Sequence, residues 1–222
     1  MKISRSCFSI ILLLLFICSV SKAQEERTKG VRIGYDISRL AVKILENERT
    51  AFELSVDYEL KPNFYLAAEG GAQKYLLTDS LYHYTSKGFY ARFGIDFNML
   101  KNRAENQYEM VFVGLRYGYS NLDHSTDNIL IGENYWGQGD MTQLGTTTIQ
   151  AHWIEAAVGV KAELFKNIFI GWSVRWRVMI YQTRDPVLKP IYIPGYGRGE
   201  KKSLIGFNYS IFVRIPIGKF RN

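Results

Sequence analysis

In the stretch IFIGWSVRWRVMI, residues 168–180, two kinds of side chain alternate along the chain. One set of alternate side chains is wholly apolar and includes Trp172 and Trp176, whereas the other set carries Arg175 and Arg177. A period of two predicts a β-strand with one apolar face and one polar face. The stretch is longer than the roughly 9–11 residues that a tilted strand needs to cross a membrane. It therefore predicts a membrane-spanning strand.

Eight segments of the chain alternate in this way, and none shows sustained helical periodicity. In the first segment the apolar stripe changes parity near Ser38 and Arg39, which we interpret as a β-bulge. The connections after the second, fourth and sixth segments are short, and those after the third, fifth and seventh are long. The predicted strands cover residues 31–44, 52–60, 64–71, 89–98, 110–119, 154–164, 168–180 and 205–215.

Arginines on the polar faces would be costly in a dry sandwich core but are usual inside an outer-membrane barrel. Short periplasmic turns, long extracellular loops and an even number of strands are also typical of such barrels. A soluble barrel would instead turn the apolar stripe inward. The sequence thus predicts an all-β fold, an eight-stranded antiparallel up-and-down transmembrane β-barrel over residues 30–220, with both termini periplasmic.

The first 23 residues have the features of a cleaved signal peptide: a basic start, an apolar run and a small-x-small site ending at Ala23. Residues 24–29 are then a short periplasmic tail. Both cysteines, Cys7 and Cys18, lie in the signal, so the mature chain has no thiolate and no disulfide. Three of the 28 basic residues also lie there, which leaves 25 against 21 acidic residues, a net charge of +4. That small excess, without a nucleic-acid motif, predicts no nucleic-acid partner.

In these features the chain resembles the small eight-stranded outer-membrane barrels of Gram-negative bacteria, of the OmpA and OmpX type. More narrowly, it resembles uncharacterised exported barrels known only as domains of unknown function. The resemblance covers about residues 30–220 and rests on the strand pattern. It implies a scaffold in the outer membrane, inserted by the outer-membrane assembly machinery. Such barrels often end on an aromatic residue, whereas here Phe220 is followed by Arg221 and Asn222.

Acids and bases share the polar faces at a near balance, which predicts a lumen plugged by side chains. Eight strands leave an interior just wide enough for side chains to fill, and opposite charges there can satisfy one another's hydrogen bonds. A charge-selective pore would instead favour one sign and a wider ring. The predicted lumen charge network comprises Glu53, Glu69, Arg92, Arg116, Glu155, Arg175 and Arg214.

The long connection after the seventh strand interleaves tyrosines with basic side chains. This composition suits a polyanionic surface glycan or the phosphates of lipopolysaccharide, and it equally suits neutralisation of the barrel's own lipid shell. The predicted loop patch comprises Tyr181, Arg184, Lys189, Tyr192, Tyr196, Arg198, Lys201 and Lys202.

The predicted function is non-enzymatic: a structural or surface-interaction protein surrounded by outer-membrane lipid and lipopolysaccharide, with a surface glycan or a protein as its possible ligand. No cofactor and no metal are predicted. One alternative is an outer-leaflet lipase or acyltransferase centred on His152, which needs Ser and acidic partners from neighbouring strands. Another is a soluble, lipocalin-like periplasmic barrel. The side chains Asp123, His124, Asp127 and Glu133 could suit a hard cation, but their spacing fits no known loop motif.

Overall fold

The computed structural model describes residues 28–79, 82–100, 107–131, 140–185 and 189–219. Eight long strands are accompanied by one helix, α1 (Ser38–Leu45), and by a two-stranded hairpin of β8 (Tyr192–Ile193) and β9 (Gly197–Arg198). The predicted signal peptide lies outside the described residues. The long strands are β1 (Thr28–Asp36), β2 (Arg49–Lys61), β3 (Phe64–Thr78), β4 (His83–Asn98), β5 (Met110–Ile131), β6 (Asp140–Phe165), β7 (Ile168–Gln182) and β10 (Ser203–Lys219).

The long strands close into one antiparallel ring in the order β1-β10-β7-β6-β5-β4-β3-β2. Closure depends on β1, where Ile33 faces Val56 of β2 on one side and Val213 of β10 on the other. A closed ring pairs its strands all round, which is the only way in which a sheet satisfies its backbone inside a membrane. The predicted eight-stranded up-and-down barrel is confirmed.

One end of the barrel, here named the turn end, carries the β2–β3, β4–β5 and β6–β7 connections. The β2–β3 and β6–β7 turns contain Asn63 and Asn167, which adopt positive φ values of 70° and 66°. Asparagine tolerates this left-handed conformation better than most residues, so these turns can be tight. Thr28 and Lys219 face each other at the same end. The opposite end, named the loop end, carries α1, the β8–β9 hairpin and the remaining connections.

The apolar face of each long strand points outward and its polar face inward. On β7, Trp172 and Trp176 are 47% and 55% exposed, whereas Arg175 between them is 5% exposed. The same inversion holds on β4, where Phe93 is exposed and Arg92 is buried. The barrel is therefore polar inside and apolar outside, as predicted.

The first predicted strand is wrong beyond Asp36, because residues 38–45 form helix α1 rather than a bulged continuation of the strand. The irregularity in β1 lies instead between Lys29 and Gly30. The apolar side chains change parity here because their period changes from two residues in the strand to between three and four residues in the helix. A two-turn helix is too short to show sustained periodicity in a sequence.

Helix α1 sits at the loop end and packs beside β2. Asp36 starts it by accepting hydrogen bonds from the backbone nitrogen of Ser38 at 2.9 Å and from its hydroxyl at 2.5 Å. The side chains of Leu40, Ile44 and Leu45 are exposed. Within the described ranges, no helix is long and apolar enough to cross a membrane.

Several boundaries differ from those predicted. Strand β1 begins at Thr28, so the last two residues of the predicted tail 24–29 belong to the barrel. The hairpin of β5 and β6 continues past residue 119 to Ile131 and resumes at Asp140, so much of the predicted long connection after the fifth strand is strand. The predicted long connection after the third strand is also wrong, because β3 runs to Thr78 and β4 begins at His83. These extensions are polar as well as apolar, and their pattern alone did not distinguish them from loop.

Candidate functional site

Arg92 on β4 lies at the centre of the lumen and is 0% exposed. Its guanidinium contacts three carboxylates from three other strands: Glu53 on β2, Glu69 on β3 at 3.0 Å and Glu155 on β6 at 3.4 Å. A guanidinium keeps its charge and offers several donors in one plane, which suits it to several acids at once. These contacts link one side of the ring to the other.

Glu69 on β3 has three basic neighbours. Besides Arg92, its oxygens lie 3.3 Å from Nε of Arg116 and 2.9 Å from Nη2 of Arg175, which binds it through two nitrogens. Arg116 also donates to Asp96 at 2.9 Å. Each of these charges is buried, so the network replaces the water that the side chains lost on folding.

Glu53 connects the network to the loop end. It accepts hydrogen bonds from Nη2 of Arg39 at 2.6 Å, from the hydroxyl of Tyr90 at 2.5 Å and from the amide of Asn208 at 3.3 Å. Arg39 belongs to α1, and it also pairs with Asp36 at 3.2 Å. The helix therefore supplies a charge to the lumen that no strand pattern could predict.

Six of the seven predicted network residues meet in the lumen, and Arg214 does not join them. Its guanidinium donates to the carbonyl oxygen of Thr28 at 2.6 Å and lies over the ring of Tyr108 at 3.4 Å, near the turn end. The predicted seven-residue network did not include several residues that complete it. Those residues are Asp36, Arg39, Asp57, Tyr90, Asp96, Lys161, Arg177 and Asn208.

The space left in the lumen beside the network is about 20 Å³. That is room for about one water molecule. Its lining mixes charged side chains such as Asp57 and Lys161 with Phe112 and Phe212. A lipocalin-like barrel needs an apolar interior large enough for a ligand, and the described lumen does not provide one.

At the loop end, residues 189–202 turn back into the barrel. This segment is here named the inward loop. Ile193 and Tyr196 of this loop are fully buried and pack with Tyr90, Leu122 and Trp153 of the wall. The rings of Trp153 and Tyr196 are 5.7 Å apart in an edge-on arrangement. The inward loop is therefore part of the core rather than a free surface loop.

The inward loop is also held by hydrogen bonds to the wall. The backbone nitrogen of Ile191 donates to the Tyr84 hydroxyl at 3.1 Å, and Arg177 donates to the Tyr196 carbonyl at 2.9 Å. Gly195 has a φ of +75°, and a Cβ atom there would lie 2.5 Å from the Tyr90 ring. Glycine is needed at this position for both reasons.

Burial changes the acidity of two groups at the loop end, beyond the apolar belt of the outer wall. It raises the pKa of the Tyr196 phenol above its ordinary value of 10.0. It lowers the pKa of His124 below 6.5, although attraction by Asp185, 3.2 Å away, opposes the shift. Both groups are therefore neutral at pH 7.

The predicted loop patch is divided by the fold. Tyr196 is buried, so its inclusion in a surface patch is wrong: the apolar core of the barrel mouth takes up its ring. Tyr192 is half-buried, stacks on Tyr75 with the ring centres 5.5 Å apart and accepts a hydrogen bond from Arg49 at 2.6 Å. Arg198 is exposed but lies apart from the cleft described next.

The other five patch residues line an open cleft between the end of β7 and the inward loop, with a volume of about 1060 Å³. Asp185 and Glu200 also lie in its wall. Among the ion pairs between described residues, none includes a basic side chain of the cleft. The cleft, here named the basic cleft, contains Tyr181, Arg184, Lys189, Lys201 and Lys202.

The family model described as "Domain of unknown function (DUF6048)" matches residues 3–220. The chain belongs to this family. No curated protein matches the DUF6048 chain. The family description states no activity, so membership shows a relationship but assigns no chemistry to the residues described above.

Several solved structures resemble the DUF6048 barrel. Ail, the attachment invasion locus protein of Yersinia pestis, is 12% identical over 86% of this chain and 100% of its own, with a TM-score of 0.43. A major outer membrane protein from Thermus thermophilus is 10% identical over 85% and 98%, with a TM-score of 0.46. The N-terminal barrel of Pseudomonas aeruginosa OprF is 12% identical over 86% and 100%, with a TM-score of 0.37. At such identities no ligand or activity is carried over.

His152, the centre of the enzymatic alternative, lies on the outer wall of the DUF6048 barrel near the loop end. Its Nδ1 atom is 2.6 Å from the hydroxyl of Tyr117, and its ring lies 5.0 Å from that of Tyr119 and 5.7 Å from that of Tyr181. Among the described hydrogen bonds and ion pairs of His152, none joins it to a serine or an acid. The surroundings are those of an interfacial aromatic belt.

The acidic set near residue 123 is split between the two faces of β5. His124 is buried in the lumen, whereas the Asp123 carboxylate is on the outer wall and accepts a hydrogen bond from Thr148 at 2.8 Å. Glu133 lies outside the described residues. Within the described part of the chain, no group of three or more His, Cys, Asp or Glu side chains is placed to hold a metal ion.

Proposed function

We propose that this chain is a non-enzymatic outer-membrane β-barrel that acts as a scaffold for surface interaction. The observation that carries the proposal is the combination of an apolar outer wall with a lumen that contains a network of buried ion pairs. This network and the small free space beside it, about 20 Å³, support a lumen with no passage and no apolar ligand site. Interaction with other molecules then falls to the outer wall and the loop end.

The membrane location is supported by the distribution of side chains on the outer wall. Exposed apolar side chains cover the outer wall, and aromatic side chains among them lie toward both rims, including Tyr117 and Tyr119 at the loop end and Phe64 and Phe97 at the turn end. That order is the one found in outer-membrane barrels. The tight β2–β3 and β6–β7 turns and both barrel termini share the turn end, so we place that end in the periplasm.

The plugged lumen predicts a protein that does not conduct. A passage would require breaking the contacts of Arg92, each with a buried carboxylate, and moving the inward loop. The test is single-channel recording from the intact barrel in planar bilayers. We expect no stable currents. Large and stable openings would contradict the plug and make the protein a pore.

The basic cleft supports an anionic ligand. Four basic side chains meet two acids there, and the aromatic ring of Tyr181 adds a face on which a sugar can stack. A volume of about 1060 Å³ exceeds a small-molecule pocket and fits several sugar units. We assign to it a sulfated or phosphorylated surface glycan, bound from the extracellular side.

The test uses a defined sulfated oligosaccharide and calorimetry on the purified barrel in detergent. The variant Lys201→Gln/Lys202→Gln should weaken binding at least about tenfold, because each charge near an anionic surface contributes roughly 1 kcal/mol. The matched control is Lys61→Gln/Lys166→Gln, which removes the same charge at the turn end. Equal affinity in both variants and the wild type would rule out the basic cleft as the binding site.

A further inference from the structure

A second concave surface lies on the outer wall across β2, β3, β4 and β5, close to the loop end, with a volume of about 630 Å³. Ala72 lies between two phenylalanines, facing Phe52 of β2 on one side and Phe89 of β4 on the other. A small side chain between two large ones leaves a groove. The floor of this groove is therefore apolar and continuous with the outer wall.

Two lysines stand directly above this floor. Lys74 on β3 and Lys87 on β4 face each other in the β3–β4 ladder, one outward-facing position beyond Ala72 and Phe89. Directly opposed side chains on one face have Cβ atoms about 4.5–5.5 Å apart, and like charges in that arrangement repel each other. Both lysines are exposed and both line the groove.

The neighbours of this pair leave it with a net positive charge. Thr50 faces Lys74 on the far side, and Asp123 faces Lys87. The Asp123 carboxylate accepts a hydrogen bond from Thr148 at 2.8 Å. In the described part of the chain, no ion pair within 4.0 Å involves Lys74 or Lys87. Two positive charges thus meet at the boundary between the apolar wall and water, with one acid beside them.

We propose that this groove binds a phosphorylated lipid of the outer leaflet. The phosphate lies between the two ammonium groups, and an acyl chain descends along Ala72 between Phe52 and Phe89. This position rests on the proposed function, because it needs the loop end to face the outer leaflet. It is a separate site from the basic cleft, since the two share no lining residue.

The apolar floor favours a lipid phosphate over a free one. A soluble anion would gain from the lysines alone, whereas a lipid also covers the exposed rings of Phe52 and Phe89. Burying this apolar surface adds to the free energy of binding. In a lipid the phosphate lies nearer to water than the acyl chains do. In the groove, likewise, the lysines lie nearer to the loop end than the apolar side chains do.

The experiment is native mass spectrometry of the full barrel, released from detergent micelles after titration with purified diphosphoryl lipid A. We expect one lipid to be retained by the wild type. Lys74→Gln/Lys87→Gln should lower the apparent affinity at least about tenfold. Lys61→Gln/Lys166→Gln, with the same loss of charge at the turn end, should bind as the wild type does.

Two further arms identify the ligand. Lipid A with its phosphates removed should bind the wild type as weakly as intact lipid A binds the double variant. Millimolar inorganic phosphate should not displace intact lipid A; displacement would show a site for free phosphate and overturn the lipid assignment. If the double variant loses the gel shift of a folded barrel, the single variants Lys74→Gln and Lys87→Gln carry the test, each expected to weaken binding about threefold.

Equal retention of lipid A by the wild type and Lys74→Gln/Lys87→Gln would overturn this inference and leave the proposed function standing. Failure of the protein to fractionate with outer membranes would overturn the proposed function itself. The two failures are thus distinguishable.

Discussion

Glu69 on β3 and Arg175 on β7 join opposite walls of the barrel through paired hydrogen bonds, one of them 2.9 Å from Nη2 to Oε1. Each side chain is almost fully buried, at 6% and 5% exposure. A bidentate pair of this kind is among the stronger side-chain contacts, but only while both partners are present. The contact spans the lumen at the level where a passage would have to run.

Removing either partner should destabilise the barrel strongly. Glu69→Ala and Arg175→Ala each leave a buried charge without its partner, which typically costs about 3–5 kcal/mol. We expect each to lower the temperature at which the folded barrel loses its gel shift in SDS. The double variant should lose less than the sum of the two single losses, because the residues share one network. Glu200→Ala, an exposed acid of the inward loop, is the control and should leave that temperature unchanged.

The outer wall can be tested at Val158, which lies midway along the outward face of β6. Val158→Arg should cost about 2–4 kcal/mol, as charged residues do near the bilayer midplane. Val158→Leu should be tolerated, because it keeps the wall apolar. Urea unfolding of the barrel in lipid vesicles gives both values. An arginine variant as stable as the leucine variant would mean that this wall does not face hydrocarbon.

The enzymatic alternative makes a specific demand on His152. If the chain is a scaffold, His152→Ala should leave the acylation of lipid A and of phospholipids unchanged in mass spectra of the membrane. His83→Ala, at the start of β4, is the control for loss of an exposed histidine. A lipid species that is lost in the first variant and retained in the second would establish an outer-leaflet activity.

Acid should destabilise the folded barrel through the buried side chain of His124. Burial holds the pKa of His124 below its ordinary 6.5, so the unfolded chain binds the proton more readily than the folded one. Stability from this group is present above pH 6.5 and falls as the pH drops below it. The melting temperature should therefore decline more between pH 7.5 and 5.5 in the wild type than in His124→Phe. Parallel declines would show that His124 does not titrate with unfolding.

The barrel itself could be predicted from the sequence because its pattern is local. Trp172 and Arg175 belong to opposite faces whatever the rest of the chain does, since successive side chains of a strand alternate. The short connections after the second and sixth segments also indicated antiparallel neighbours. The charges on the inner faces also followed from parity, as for Glu69 and Arg92.

Which of those charged side chains contact one another could not be predicted in the same way. Arg214 has the same parity as Asn208 on β10, yet it lies near the turn end and meets Thr28 and Tyr108. Arg39 enters the lumen from a helix that no alternation could indicate. Which charges meet depends on the register between strands, and register is set only when the ring closes.

The amino-acid sequence by itself determined the strands, their two faces and their number, because each depends on neighbours one or two positions apart. Tertiary structure decided that Tyr196 is core rather than surface, and that Lys74 and Lys87 stand together above an apolar groove. Burial of Tyr196 follows from its packing against Tyr90 and Trp153 of other strands, and the lysine pair follows from the β3–β4 register. Both depend on which strands lie side by side, and no single strand contains them.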